Sequence, residues 1–347
     1  MGTSDLSTFY SGRRVLVTGG ASFIGSHLTE RLVGLGAEVT VIDDLSSGKL
    51  ENLADVASET RVLTGDLRQE AIAREACSAQ DVVFHLAAAH GGRGYIESHP
   101  VECMNNLVLD HSVFAAAARG GAETVVFASS ACVYPTTLQA SESERLLLRE
   151  EDANFDRPGG AFADGEYGRA KLMGEMQLRA ISRQYGLNGV GCRIFTAYGE
   201  RENETHAVIA LIAKAAARLD PYPIWGSGLQ TRNFTYVGDT VNGMLLAGAR
   251  LRGFDVINIG TDAHHTILDL IEQIFRAVGW TPAELQRELD RPVGVKSRAA
   301  DLQRCSEQLD WIPETSLAEG ISRTVAWYLE TNGAPDSDRL EQLLMER

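Results

Sequence analysis

The sequence predicts an α/β protein, a doubly wound parallel sheet with a smaller carboxy-terminal lobe, and three observations carry that prediction. Residues 14 to 43 read as strand, glycine turn, helix, strand. From there to Ile194, short β-branched runs alternate with stretches of helical periodicity, the rhythm of a parallel sheet covered by helices on both faces. Past Thr196 the strand signals become sparse, which fits a second lobe closing over a ligand. The expected division is 1–195 for the first domain, with a return segment at about 233–262, and 196–232 plus 263–347 for the lobe.

The opening unit sets the chemistry. Val15 to Val17 form an apolar run that breaks at Gly19 and Gly20, after which Phe23, Ile24, Leu28, Leu32 and Leu35 recur at helical spacing. A second run, Val39 to Ile42, ends on Asp43. A βαβ unit of this kind binds a dinucleotide: glycines at the turn let backbone amides approach a pyrophosphate at the positive end of the helix. The carboxylate about 20 residues on accepts bonds from the adenosine ribose, and would repel a 2′-phosphate, so Asp43 favours NAD over NADP. The glycine spacing is Gly19, Ser22, Gly25, with a serine and its Cβ at the middle position.

The following elements keep the pattern: strand Arg61–Thr64, helix about Gln69–Cys77, strand Val82–His85, helix Pro100–Arg119, strand Thr124–Ala128, helix Tyr167–Tyr185 and strand Val190–Ile194. Residues 135–165, rich in Pro, Gly, Ser and acidic residues, read as a long surface excursion, and the residues from Ala334 onward as a solvated tail.

Composition bounds the function. With 347 residues, 44% hydrophobic content and 34 glycines, the chain can bury the core of a soluble globular protein. A formal net charge of −15 repels nucleic acid and anionic membrane, so an anionic ligand must be held by locally placed arginines. The five cysteines are odd in number and lack C-x-x-C spacing, which argues against a disulfide frame or a metal site and fits a reducing cytoplasm. No run approaches the roughly 18 apolar residues of a membrane helix.

Tyr167 and Lys171 stand at the Y-x-x-x-K spacing, on one face of a helix. An ammonium and a cationic nicotinamide near the phenol would stabilise phenolate, pulling the tyrosine below its ordinary value of about 10 and making it a usable base. Taken alone, the pair is more often a solvated-face coincidence than a site; behind a nucleotide loop and a Ser-rich strand end the balance reverses.

Thr18–Gly25, Gly65-Asp66-Leu67, His85–Ala88, Ser129–Pro135, Tyr167/Lys171, Arg193–Gly199 and Gly228–Phe234 together resemble the extended short-chain dehydrogenase/reductases that act on nucleotide sugars. The likeness spans nearly the whole chain, and implies a Rossmann-type domain with tightly held NAD recycled within each turnover. Within that family, His90–Ile96, Ser129–Pro135 and Leu229–Thr235 are most similar to the GDP-mannose 3′,5′-epimerases. The resemblance implies cofactor contacts at Gly19, Ser22, Phe23, Ile24, Gly25, Asp43, Asp66, Leu67, Ala87 and Lys171. It implies substrate contacts at Gly92, Arg93, Arg232 and Arg298, the last two on the substrate pyrophosphate, where a fork-shaped guanidinium suits phosphate oxygens.

The strand end separates reactions. Residues two apart in an extended segment share a face, so Ser130 and Cys132 should point together toward the sugar, Ser130 helping Tyr167 hold the reacting hydroxyl. The related 4,6-dehydratases carry Asp-Glu where this chain has Ala131-Cys132, so the acid that expels water is missing. The 3′,5′-epimerases place a cysteine there and pair it with a lysine, which aligns with His206, an imidazole able to give or take a proton. Read without the family, Cys132 is a small hydrophobe closing a strand and His206 a cap for the helix Ala207–Leu219. Thr196 and Glu200 replace the Asn and Pro of the family's N-x-Y-G-P stretch.

The implied activity is nucleotide-diphosphate-sugar epimerisation through transient C4 oxidation with proton exchange at C5 and/or C3, in a cytoplasmic homodimer joined through the helices at 100–119 and 167–185. The alternatives are a plain C4-epimerase of the UDP-glucose 4-epimerase type, then a 4,6-dehydratase or a non-catalytic NAD-binding protein.

Overall fold

A computed structural model describes residues 2–154, 156, 163–336 and 340. In chain order, the first half contains α1 (Gly2–Tyr10), β1 (Arg14–Thr18), α2 (Phe23–Gly34), β2 (Glu38–Asp43), β3 (Thr60–Thr64), α3 (Glu70–Cys77), β4 (Val82–His85), α4 (Arg93–Ser98), α5 (Pro100–Gly120) and β5 (Thr124–Ser130). It continues through β6 (Leu147–Leu148), α6 (Gly165–Tyr185) and β7 (Asn188–Ile194). The second half contains β8 (Ala197–Tyr198), α7 (Ala207–Ala216), β9 (Tyr222–Trp225), β10 (Thr231–Arg232), β11 (Thr235–Tyr236), α8 (Val237–Arg250) and β12 (Phe254–Ile259). It ends with β13 (His265–Thr266), α9 (Ile267–Val278), β14 (Leu285–Glu288), β15 (Ala299–Ala300), α10 (Gln303–Leu309) and α11 (Leu317–Asn332).

Seven parallel strands form the main sheet in the order β12-β7-β5-β4-β1-β2-β3. The period of two in each strand sends alternate side chains into different cores. Val15 and Val17 of β1 pack with Leu28, Leu32, Val41, Met244 and Leu245 on the face of α2 and α8. Leu16 points the other way, with Ile42, Val83, Phe114, Phe127 and Leu178, on the face of α3, α5 and α6. Strand order reverses between β1 and β4, so the carboxyl ends of these strands part and leave a crevice, the usual ligand position in such sheets. A separate core of Tyr198, Ile209, Ile212, Tyr222, Ile274, Phe275 and Tyr328 holds α7, α9 and α11 together beside that crevice.

Several expectations change. The predicted helix near 167 starts at Gly165, and α1, which carried no periodic signal, packs on α8 with the Tyr10 hydroxyl donating to the Leu245 carbonyl at 2.8 Å. Residues 135–154 are not a simple surface excursion. Leu147–Leu148 pair in parallel with Ala299–Ala300, and Gln139, Leu148 and Glu150 are buried, Leu148 in one core with Ala131, Val133, Tyr134 and Phe195. The rest of the predicted excursion, 155 and 157–162, lies outside the described residues. The predicted solvated tail from Ala334 contains a buried Pro335 and Leu340; 337–339 and 341–347 lie outside the described residues.

Candidate active site

A cleft of about 450 Å³ runs from the β1/β4 crevice to the carboxy-terminal lobe, the size expected of a small-molecule site. Its nucleotide end is made by steric necessity. Gly19 has φ +68°, and a Cβ there would stand 2.9 Å from the Ala87 amide nitrogen. A Cβ on Gly25 would meet the Gly19 carbonyl oxygen at 2.1 Å. Between them Ser22 sits at φ −87°, ψ −175°, ordinary extended backbone, so the serine at the middle position of the motif is accommodated without strain.

Thr18 ties the two sides of the crevice. Its hydroxyl accepts the Leu86 and Ala87 amides, both at 3.1 Å, and therefore donates its one proton to His85 Nδ1 at 2.8 Å. That leaves His85 Nε2 to donate to Asp110 at 3.0 Å, within a fully buried pair.

Gly19, Ser22, Phe23, Ile24, Gly25, Ala87 and Lys171 line the cleft. The first-turn amides of a helix have no acceptor within the helix, so α2 presents its positive end to an anion here. Asp43, Asp66 and Leu67 do not line this cleft and stand further along the same sheet edge, at or just past the ends of β2 and β3. Asp43 is 6% exposed, with Oδ2 accepting the Ala21 amide at 3.0 Å and Oδ1 the Leu45 amide at 2.9 Å. Burial raises its carboxyl, and the two amides work against that rise. Gly48 leaves the approach open, since a Cβ there would lie 2.7 Å from both carboxylate oxygens. Asp66 pairs with Arg68 at 2.9 Å, and that bond holds its carboxyl below the usual range. The groups fit a dinucleotide: a backbone cradle that any Cβ at 19 or 25 would fill, then a carboxylate whose oxygens each keep a lone pair.

Tyr167, Lys171, Ser130 and Cys132 meet on the floor of the cleft. Lys171 is 2% exposed and donates to the Ala128 carbonyl at 2.8 Å, with Nζ 5.9 Å from the centre of the Tyr167 ring. The expected depression of the phenol is not found. Burial pushes Tyr167 well above its ordinary value, Cys132, Cys103 and Asp110 add to the rise, and a hydrogen bond with Ser130 opposes it. Burial also lowers the Lys171 ammonium, with Asp110 pulling it back. The protein alone thus holds a neutral phenol.

Cys132 reaches the cleft by a different route from the one expected. The strand ends at Ser130, and Ala131–Val133 turn into a 3₁₀ helix capped by the Ser130 hydroxyl, which accepts the Cys132 amide at 3.1 Å. The shared strand face does not exist; the turn brings both residues to the cleft instead. It also presses against α6, where a Cβ on Gly168 would stand 2.2 Å from the Cys132 carbonyl oxygen.

The substrate arginines separate into two kinds. Arg298 is occupied on every nitrogen: Nε to Gln139 at 2.6 Å, Nη1 to the Cys132 sulfur at 3.4 Å and Nη2 to Asp164 at 3.1 Å. Arg93 shares the same carboxylate, with Nη1 2.9 Å from Asp164, and its Nε bonds Glu97 at 2.7 Å. Burial alone would raise Asp164, yet Arg298 and Arg93 bring its carboxyl below the ordinary range. Arg232 instead donates to two carbonyls, Thr231 at 2.7 Å and Val293 at 2.8 Å, and forms no ion pair among the described residues. Burial, with Arg298 adding like charge, lowers Arg232 to about 9. An arginine so placed is stabilised by an arriving anion. Gly92 packs against the Thr205 carbonyl, at 3.0 Å from an added Cβ.

His206 occupies the cap position of α7, but its side chain makes no capping bond. Its Nδ1 faces the Glu202 carboxylate at 3.2 Å and its ring lies 5.8 Å from that of His90, both rings lining the cleft. Glu200 and Thr196, the departures from the N-x-Y-G-P stretch, have separate duties. Glu200 accepts the Tyr236 hydroxyl at 2.8 Å, and the Thr196 carbonyl accepts the Thr235 amide at 2.9 Å.

Sequence reasoning overlooked Asp164, Gln139, His90 and Glu202. Asp164 was detectable, since 164, 167 and 171 share a helical face, and Glu202 stands four residues before His206. Gln139 carried no local signal. Among the described residues no cluster of His, Cys, Asp and Glu could hold a metal, no helix is long and apolar enough to cross a membrane, and all five cysteines are free.

Comparison with known proteins agrees with this geometry. The model of the NAD dependent epimerase/dehydratase family matches residues 15–260. GDP-mannose 3,5-epimerase 1 of Oryza sativa subsp. indica is 31% identical over 324 residues, covering 91% of this chain and 82% of that protein. UDP-glucose 4-epimerase of Thermotoga maritima, solved with UDP-glucose, superposes with TM-score 0.81 at 27% identity over 92% of this chain and 99% of the other. A dTDP-glucose 4,6-dehydratase of Streptomyces venezuelae, solved with NAD bound, superposes with TM-score 0.82 at 26% identity, covering 92% and 98%. With its glycine cradle, its Tyr/Lys/Ser floor and a family match over most of its length, the chain belongs to the NAD-dependent epimerase/dehydratase family and uses NAD as its cofactor.

Proposed function

We propose that this protein is a nucleotide-diphosphate-sugar epimerase that oxidises the sugar transiently at C4 and exchanges protons at C5 and/or C3, as its likeness to GDP-mannose 3,5-epimerases suggests. The observation that carries the reading is that Cys132 and His206 line the same cleft as Tyr167, Lys171 and Ser130, while neither Asp nor Glu stands at 131 or 132. When bound, NAD supplies a reversible two-electron acceptor at the sugar C4.

The chain's own residues handle protons and charge. Ser130 holds the C4 hydroxyl and Tyr167 takes its proton, a transfer that needs positive charge beside the phenol because burial otherwise keeps it neutral. A ketone at C4 acidifies the hydrogens on C3 and C5. One of Cys132 and His206 removes such a proton and the other delivers a proton to the opposite face, inverting that carbon. Arg232 pairs with the substrate diphosphate, and Gly92 lets the backbone approach the hexose.

Incubating the enzyme with GDP-mannose in deuterated water tests the reading. Deuterium is expected at C5 or C3 of recovered sugar, and its absence while the C4 hydrogen is still being transferred would refute it. The second reading is a C4-epimerase, as the likeness to the UDP-glucose 4-epimerase of Thermotoga maritima suggests. It requires neither Cys132 nor His206, so Cys132→Ala would retain substantial rate under that reading and lose it under ours.

We further propose a cytoplasmic homodimer joined through α5 and α6. Val101 and Val108 of α5 are 66% and 53% exposed, and Met173 and Met176 of α6 are 42% and 38% exposed, an apolar surface suited to a second copy. Light scattering at low micromolar concentration should give twice the chain mass, and a monomer would overturn this.

A further inference from the structure

We propose that Glu202 is a positioning residue that fixes the tautomer of His206, accepting its Nδ1 proton and leaving Nε2 as the proton-accepting atom presented to the cleft. The inference rests on the proton-exchange reading above, and deepens it by naming what holds the imidazole in its working form.

The local chain is built for this contact. Glu202 and His206 are four apart, but the intervening residues form a turn held by Asn203, whose side chain accepts both the Thr205 amide and the Thr205 hydroxyl at 2.9 Å. The Asn203 carbonyl accepts the His206 amide at 3.0 Å, so the backbone of the ring-bearing residue is fixed before α7 begins. Glu202 is 5% exposed, and its Oε1 lies 3.2 Å from His206 Nδ1. A carboxylate can only accept, so an ionised Glu202 demands a proton on Nδ1 and leaves Nε2 with its lone pair.

The rest of the wall favours the same arrangement. The His90 ring lies 5.8 Å from that of His206, and a Cβ on Gly92 would fall 3.0 Å from the Thr205 carbonyl, so the 90–92 loop packs beside the imidazole. Burial disfavours a cation on His90, and the His206 ring and the Lys171 ammonium add to that, so His90 is a neutral neighbour. Burial raises the Glu202 carboxyl, while the His206 bond and the Gly199 amide act against that rise. The second oxygen of Glu202 has no partner among the described residues, so the imidazole is the carboxylate's principal side-chain partner.

Two measurements on the holoenzyme decide the matter. The ¹⁵N spectrum of the His206 ring should show Nδ1 protonated in the wild type near neutral pH, and lose that preference in Glu202→Gln, whose amide can donate as well as accept. With GDP-mannose in deuterated water, Glu202→Gln should lower deuterium incorporation at the exchanging carbon by about 10²-fold, the contribution of one placed acid–base group. Reduction of the bound nicotinamide on adding sugar should change less than about threefold, and Glu202→Asp should recover part of the exchange.

A wild-type ring protonated on Nε2, or a Glu202→Gln enzyme that exchanges deuterium at the wild-type rate, overturns the inference. Loss of nicotinamide reduction in step with exchange would also overturn it, showing a general structural role. Absence of exchange in the wild type would overturn the functional reading instead, while the ring spectrum would still decide the tautomer.

Discussion

Replacing Glu175 by alanine should destabilise the fold by several kcal/mol, because the residue is one half of a buried ion pair beneath the active site. Arg193 and Glu175 are 2% and 4% exposed and meet through two parallel bonds, Nε–Oε1 at 2.9 Å and Nη2–Oε2 at 2.8 Å. The Ser129 hydroxyl donates to Oε1 at 2.6 Å, and the guanidinium also donates to the Tyr134 hydroxyl, the Glu150 carbonyl and the Ala153 carbonyl. Truncating Glu175 leaves Arg193 buried without its counter-charge, a loss of about 3–5 kcal/mol. At about 2.1 cal/mol/K per residue, 347 residues give an unfolding entropy near 0.7 kcal/mol/K, so the midpoint should fall by about 4–7 °C. Differential scanning calorimetry of the holoenzyme measures it directly. The double variant Arg193→Met/Glu175→Leu, which removes both charges, should recover at least half of the loss. A single-variant shift under 1 °C, or a double variant worse than the single one, would refute the argument that an orphaned charge sets the cost.

Three further outcomes are expected. Gly25→Ala should abolish tight NAD binding, since its Cβ would sit 2.1 Å from the Gly19 carbonyl oxygen, and titration calorimetry of the apoprotein should show an affinity loss of at least tenfold. Tyr167→Phe should retain bound cofactor but lower C4 oxidation by about 10²–10⁴-fold, measured as nicotinamide absorbance in a stopped-flow experiment. The Asp164 carboxyl is depressed in the fold, so its ion pairs stabilise the protein above the ordinary aspartate range, near 4, and that stabilisation is lost as pH falls through the depressed value. Asp164→Asn should therefore be less stable than wild type at pH 7, and the gap should close in acid; urea midpoints at both pH values check it.

The nucleotide end of the site was legible in the sequence because its constraints are local. Gly25 is demanded by the Gly19 carbonyl six residues away and Gly19 by its own φ of +68°, and β-branched runs with a period of two suffice to place β1, β2 and β4. Tyr167 and Lys171 were legible through helical spacing. The electrostatics were not, since the direction of the phenol depends on burial and on Cys103 and Asp110, which come from α5. Nor was the turn at Ala131, where the Ser130 hydroxyl competes for the backbone and ends the strand two residues before Cys132. Arg298 was expected on a diphosphate. Its partners Gln139 and Asp164 lie 159 and 134 residues away, a distance at which no pattern in the chain reveals that its nitrogens are already engaged.

One helix carries four of these duties along a single stripe. Asp164 at the cap of α6, then Tyr167, Lys171 and Glu175, follow at helical spacing, so the arginine anchor, the proposed proton acceptor, the proposed nicotinamide contact and the brace to Arg193 turn as one rigid shaft. A change that twists that shaft would disturb all four together. The two groups proposed to handle carbon-bound protons differ in this respect: Cys132 lies in the turn that presses on α6, where its carbonyl accepts the Asp164 amide at 2.8 Å, whereas His206 stands apart from it at the cap of α7. Under the proposed reading, proton exchange on carbon is therefore coupled to the shaft on the Cys132 side and uncoupled on the His206 side, and a new stereochemical outcome could arise by altering residues around His206 alone.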